Sequence, residues 1–79
     1  MYSKELFIKT IENAKELVDV TSKFNEEIDL VSGRYVVDAK SIMGIFGLDL
    51  LNPVTILIHT EDTKIANNLF LKLEKAGIK

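Results

Sequence analysis

The chain contains no cysteine, one histidine, one proline and four glycines. Without cysteine there is neither a disulfide framework nor a thiolate metal site, a composition that suits a reducing cytosol. One histidine leaves only scattered carboxylates as metal co-ligands, so no metal site is expected. Gly33, Gly44, Gly47 and Gly77 form no phosphate-cradling run. No Ser/His/Asp set has a recognisable spacing, so intrinsic enzymatic activity and a cofactor are not expected. The apolar runs are only a few residues long, too short to span a bilayer. Met1-Tyr2-Ser3-Lys4-Glu5 precedes no apolar segment, so a signal peptide is not expected. Charge of one sign is lacking too: ten basic residues oppose twelve acidic ones, for a net −2. A nucleic-acid binder would gather Lys and Arg on one face. Here Lys4, Lys9, Lys15 and Lys23 alternate with Glu5, Glu12, Glu16 and Asp19 as a mixed solvated surface.

What is present is apolar patterning. Seventy-nine residues at 47% hydrophobic content are expected to form one domain, residues 1–79. A chain this long buries roughly two-thirds of its unfolded surface, so packing must carry its stability. Tyr2 to Lys9 reads as a strand, with Leu6 and Ile8 on one face and Phe7 on the other. Ile11 to about Ser22 reads as a helix. Its apolar positions Ile11, Ala14, Leu17, Val18 and, just beyond, Phe24 make one stripe. Thr10 can cap the first turn, and Glu12 sits near the positive end of the dipole. Glu27 to Val31 and Tyr35 to Asp38 read as strands around Ser32-Gly33-Arg34, with Ile28, Leu30 and then Val36 or Val37 inward. Gly33 supplies the positive φ of a tight hairpin. The unbroken Tyr35-Val36-Val37 run leaves the register open and allows a bulge.

Ser41 to about Phe46 reads as a short helix capped by Ser41 and limited by Gly44 and Gly47. Asn52-Pro53 marks a turn. Val54 to Thr60 alternates most clearly, with Val54, Ile56 and Ile58 against Thr55, Leu57 and His59. Asp62 to about Ala76 carries the helical stripe Ile65, Ala66, Leu69, Phe70 and Leu73, stopped by Gly77. The order is β-α-β-β-α-β-α. It predicts an α+β fold: one four-stranded, antiparallel-rich sheet covered on one face by three helices, with the other face open.

That order, and Lys40-Ser41-Ile42-Met43-Gly44-Ile45-Phe46-Gly47-Leu48, resemble HPr, the small phosphocarrier of the bacterial sugar phosphotransferase system. Lys40 to Gly44 is similar to the HPr of Gram-positive bacteria, in which the serine is a regulatory phosphorylation site. Thr21-Ser22-Lys23-Phe24 and Ile28-Asp29-Leu30-Val31-Ser32-Gly33 fall where HPr has the end of its first helix and its central hairpin. The resemblance covers nearly the whole chain from Phe7 onward, and it implies an HPr-like open-faced β-sandwich. One motif departs. HPr proteins carry Gly-(Leu/Ile)-His-x-Arg-Pro at the start of the first helix. Counting back from Ser22-Lys23-Phe24 puts Thr10 at the histidine, Glu12 at the arginine and Asn13 at the proline. In this the chain resembles the catabolite-repression HPr variants, which also lack the active histidine and keep the serine.

A phosphorelay needs an imidazole, which is nucleophilic near neutral pH and yields a phosphoramidate of high transfer potential. A threonine ester does not serve that purpose, and Glu12 would repel the phosphoryl group that cationic donors should neutralise. Thr10 therefore reads as a cap. His59, two residues beyond Leu57 on the last strand, reads as a half-exposed sheet residue; its other reading is a substitute acceptor. Ser41 reads as a cap and, by resemblance, as a site for a kinase. A phosphate at a helix start meets free N–H groups and adds about −1.5 to −2 charge, with Lys40 adjacent to help.

Ile42, Met43 and Phe46 lie at i, i+1 and i+4. In HPr-like proteins this apolar face docks partner proteins. The other reading packs Ile42 and Phe46 inward beside Ile45 and Leu48. Two functions of different class follow from the resemblance. One is a non-catalytic regulatory or protein-binding domain switched at Ser41. Its partners would be an HPr kinase-like enzyme, phosphotransferase components or a transcription regulator, with no nucleic acid or membrane. The other is a working phosphocarrier that uses Thr10 or His59. An unrelated ferredoxin-like sandwich is a third reading, separable by its strand order.

Overall fold

A computed structural model describes residues 1–79. Its elements are β1 (Tyr2–Leu6), α1 (Ile11–Thr21), β2 (Ile28–Ser32), β3 (Tyr35–Asp38), α2 (Ile42–Phe46), β4 (Val54–Ile58) and α3 (Thr63–Lys75). The sheet order is β1-β4-β2-β3, and every neighbouring pair is antiparallel.

Period-two alternation puts Val54, Ile56 and Ile58 of β4 inside, together with Ile28 and Leu30 of β2. Leu30 faces Ile56, and Ile28 faces Ile58, across the central pair of strands. Ala14 and Leu17 from α1, and Ala66, Leu69 and Leu73 from α3, close over them in a cluster of 16 buried hydrophobic residues. Full burial of each large aliphatic side chain contributes about 1.5–3 kcal/mol.

The α3 terminus is locked by a Schellman motif. The Ile78 N–H donates to the Leu73 carbonyl, the Gly77 N–H donates to the Glu74 carbonyl, and Gly77 takes φ +82°. Ile78 is thereby buried as the final piece of the core.

Four expectations need correction. The first strand stops at Leu6 rather than Lys9. Ile8 still turns inward while Phe7 is exposed, because the core holds Ile8 after the ladder ends. Ile11 is not part of the buried stripe. It is 57% exposed, since the helix is sealed only from Ala14 onward. The hairpin contains no bulge: Leu30 faces Val37 and Val31 faces Val36 in unbroken register. Gly33 alone of the two turn residues has positive φ, the pattern of a type II′ turn. Val37 is therefore the inward residue, and Val36 is exposed. Lastly, the last strand ends at Ile58. The His59 N–H still donates to the Glu27 carbonyl at 2.9 Å, one step past the strand.

Thr21, which the stripe omitted, is the one buried polar residue. Its hydroxyl reaches the Ala39 carbonyl at 2.8 Å and the Val18 carbonyl at 3.2 Å. This bond ties the end of α1 to the segment that leads into α2. From there the chain runs back along α1, and Ile42 lines a groove with Val18, Lys15 and Asp19. Gly44 lets α2 approach β3, because a Cβ there would stand 3.2 Å from the Val37 Cβ.

Candidate functional site

Two helix entrances carry hydroxyl side chains. At α1 the Thr10 Oγ1 accepts the Asn13 N–H at 3.0 Å, in the expected cap geometry. Thr10 and Glu12 are exposed, Asn13 is half-buried, and Glu12 is the one acidic residue of the first turn. No Lys or Arg side chain makes a hydrogen bond or ion pair with any of these three residues. The entrance thus presents a neutral hydroxyl and a carboxylate.

At α2 the Ser41 Oγ accepts the Gly44 N–H at 3.2 Å. The turn before it is fixed twice: the Ser41 N–H donates to the Asp38 carbonyl, and the Lys40 N–H donates to the Asp38 carboxylate. No acidic residue lies in the first turn of α2. Ser41 is half-buried, beside the apolar residues that follow.

Those residues divide. Ile45 is fully buried, and Ile42 and Leu48 are half-buried. Met43 and Phe46 face solvent, at 77% and 45% exposure. A five-residue helix has one inward side, and Ile45 takes it. Ile42 also lines the groove with Val18, rimmed by Lys15 and Asp19.

Lys40 does not serve where it was expected. Its ammonium donates to the Phe24 carbonyl at 2.6 Å, just beyond α1, and leaves Ser41 without a cation from its neighbour. A carbonyl past the negative end of the α1 dipole holds the charge better than open solvent does.

His59 lies far from Thr10 in the sheet. Leu6, near Thr10, faces Val54, whereas Tyr2 faces Ile58 at the other end of β4. Four residue steps separate these ends, about 13 Å at ~3.3 Å per residue. His59 follows Ile58, and its Nε2 sits 2.7 Å from the Asp29 Oδ2. A carboxylate, not a cationic cradle, is its partner.

Thr21 is the structurally important residue that sequence reasoning missed. A polar side chain at the spacing of the buried stripe, four residues after Leu17, was the available signal.

A β1-β4-β2-β3 antiparallel sheet with three helices over one face is the open-faced sandwich of HPr phosphocarriers. The family model described as the PTS HPr component phosphorylation site matches residues 11–75. The chain belongs to the HPr family of the phosphotransferase system, whose members are phosphocarriers rather than classical enzymes. HPr-C-His from Thermoanaerobacter tengcongensis superposes with a TM-score of 0.76 at 29% identity, over 92% of this chain and 90% of that one. The phosphocarrier protein HPr from Bacillus anthracis str. Ames gives 0.66 at 23% identity, over 90% and 94%. The histidine-containing phosphocarrier protein from Mycoplasma gives 0.73 at 18% identity, over 94% and 89%. The last two likenesses concern the fold. No curated protein sequence matches the chain.

Proposed function

We propose that this chain is a non-catalytic regulatory or protein-binding member of the HPr family, switched by phosphorylation at Ser41. One observation carries the reading: the entrance of α1 holds Thr10 and Glu12, and the only imidazole, His59, is bonded to Asp29 at the far end of β4. A threonine beside a carboxylate neither accepts nor relays an activated phosphoryl group, because nothing there neutralises the transferred charge. The surface for binding remains. Met43, Phe46 and the exposed part of Ile42 would contact partner proteins, with Lys15 and Asp19 setting their charge complement.

In the switch, the Ser41 Oγ attacks the γ-phosphorus of ATP. The hydroxyl proton goes to a base of the kinase, and ADP leaves. The product adds about −1.5 to −2 charge beside Met43 and Phe46. It also gives up the Oγ cap on the Gly44 N–H, which a phosphate oxygen can replace. The partners would be an HPr kinase-like enzyme and a phosphotransferase component or transcription regulator, in the cytoplasm.

Incubation with an HPr kinase and ATP, followed by mass-spectrometric mapping, tests the switch. Phosphate on Ser41 is the expected result. No phosphate on Ser41, while an authentic histidine-bearing HPr is labelled in parallel, would remove the switch from the account.

A further inference from the structure

The groove between the end of α1 and the side of α3 has a volume of about 400 Å³. Phe24 is buried and Ile65 half-buried, and they form its apolar floor. Its walls carry Lys23, Asn25, Glu26, Asn68 and Lys72. None of these five polar side chains makes a hydrogen bond or ion pair within the chain. The backbone that carries them is fixed. The Lys23 N–H donates to the Val20 carbonyl at 3.2 Å, and the Phe24 N–H donates to the Thr21 carbonyl at 3.1 Å. The Phe24 carbonyl in turn accepts the Lys40 ammonium. The facing wall is a helix of 13 residues. The groove is therefore preformed, and it shares no residue with the Val18–Ile42 groove.

We propose that this groove binds an acidic, extended segment of a partner protein. Two ammonium groups oppose one carboxylate on its walls, and the exposed Lys64 and Lys75 continue the positive surface along α3. Glu74, the only acid of α3, lies 3.8 Å from the Lys4 ammonium and is engaged there. Helix-end electrostatics accounts for Lys72 and Lys75 in the last turn of α3. It does not account for Lys64 in the first turn, where the dipole disfavours a cation. The other groups select a peptide over a bare anion. Each of the Asn25 and Asn68 carboxamides presents a donor and an acceptor, the pair that an extended backbone also offers. Lys23 and Lys72 match acidic side chains of the segment, and Phe24 and Ile65 receive an apolar one between them. A free phosphate would meet the ammonium groups and leave both amides and the apolar floor unused. Charges at such a rim orient the partner and speed encounter, so binding is weak and falls as salt rises. It does not depend on phosphorylation of Ser41.

The test titrates the intact, isotope-labelled chain with a capped peptide of alternating glutamate and leucine and follows the amide shifts. The shifts should centre on residues 23–26, 65, 68 and 72, which line the groove. K23E and K72E replace exposed side chains that have no partner in the chain, so the fold should survive both. The K23E/K72E double variant should raise the dissociation constant roughly tenfold or more. E26Q removes the one repelling carboxylate and should tighten binding instead. A capped peptide of alternating lysine and leucine should reverse the order, binding the double variant better than the wild type. Wild-type affinity in K23E/K72E overturns the proposal, as does equal affinity for the two peptides. So do shifts centred on Met43 and Phe46, or inorganic phosphate binding as tightly as the acidic peptide. Groove shifts that depend on protein concentration without any peptide would give the groove to a second copy of the chain and overturn it too.

Discussion

The entrances of α1 and α2 are built alike. Each begins with an extended residue whose hydroxyl accepts the N–H three positions on: Thr10 from Asn13, and Ser41 from Gly44. Their surroundings differ. Glu12 shares the first turn of α1, while the first turn of α2 has no acid and is followed by the exposed Met43 and Phe46. The α1 entrance projects freely, with Ile11 in solvent. The α2 entrance is held by Asp38, by the Thr21 bond to Ala39 and by the close approach of Gly44 to Val37. The capping bond is thus common to both, and neighbouring charge and apolar surface decide what else each entrance can do.

The largest expected difference between the two is in labelling. With an HPr kinase and ATP, Ser41→Ala should abolish incorporation entirely, while Thr10→Ala should leave it at the wild-type level. Equal loss in both variants would mean that the entrances are not distinct in function.

The next effects are on stability and concern the attachment of α2. Thr21→Val keeps the shape but leaves the buried Ala39 carbonyl without its partner. It should cost about 1–3 kcal/mol in urea unfolding. Gly44→Val forces side-chain atoms against Val37 and should cost a similar ~1–3 kcal/mol. Asn13→Ala, at the equivalent position of α1, should stay within about 0.5 kcal/mol, because only the Asn13 backbone takes part in the cap. If Gly44→Val proved as mild as Asn13→Ala, the close fit between α2 and β3 would be wrong.

Loss of either cap should be smaller. Thr10→Ala and Ser41→Ala should each lower stability by about 1 kcal/mol. A small effect is expected at His59 as well. Its pair with Asp29 is partly exposed, with side chains 35% and 30% accessible, and His59→Gln should cost no more than ~1 kcal/mol. A much larger loss in thermal or urea unfolding would give that histidine an unrecognised structural role.

The architecture was readable from alternation and from the three- and four-residue steps, because those patterns record burial directly. β4 and α3 are the clearest cases: Val54, Ile56, Ile58, Leu69 and Leu73 are all buried. The misses share one cause. Periodicity says which side of an element is apolar, not where along its length the core ends. Ile11 has the right spacing but lies beyond the sealed part of its helix, and Lys9 lies past the end of its ladder. The hairpin register needed a pairing partner to resolve, since Tyr35-Val36-Val37 has no alternation of its own. Among the site residues, the two caps were readable because a hydroxyl acts on a backbone three residues away. The destination of the Lys40 ammonium was not, because Phe24 approaches it only after folding. For the same reason Thr21 gave no sign of its bond to Ala39, across 18 positions of sequence.

Incubation of the intact chain with phosphoenolpyruvate and the first enzyme of the phosphotransferase system probes relay chemistry most directly. No acid-labile phosphate should appear on the chain, while a histidine-bearing HPr in the same mixture becomes labelled. Phosphohistidine at His59, able to pass its phosphoryl group onward, would contradict the account.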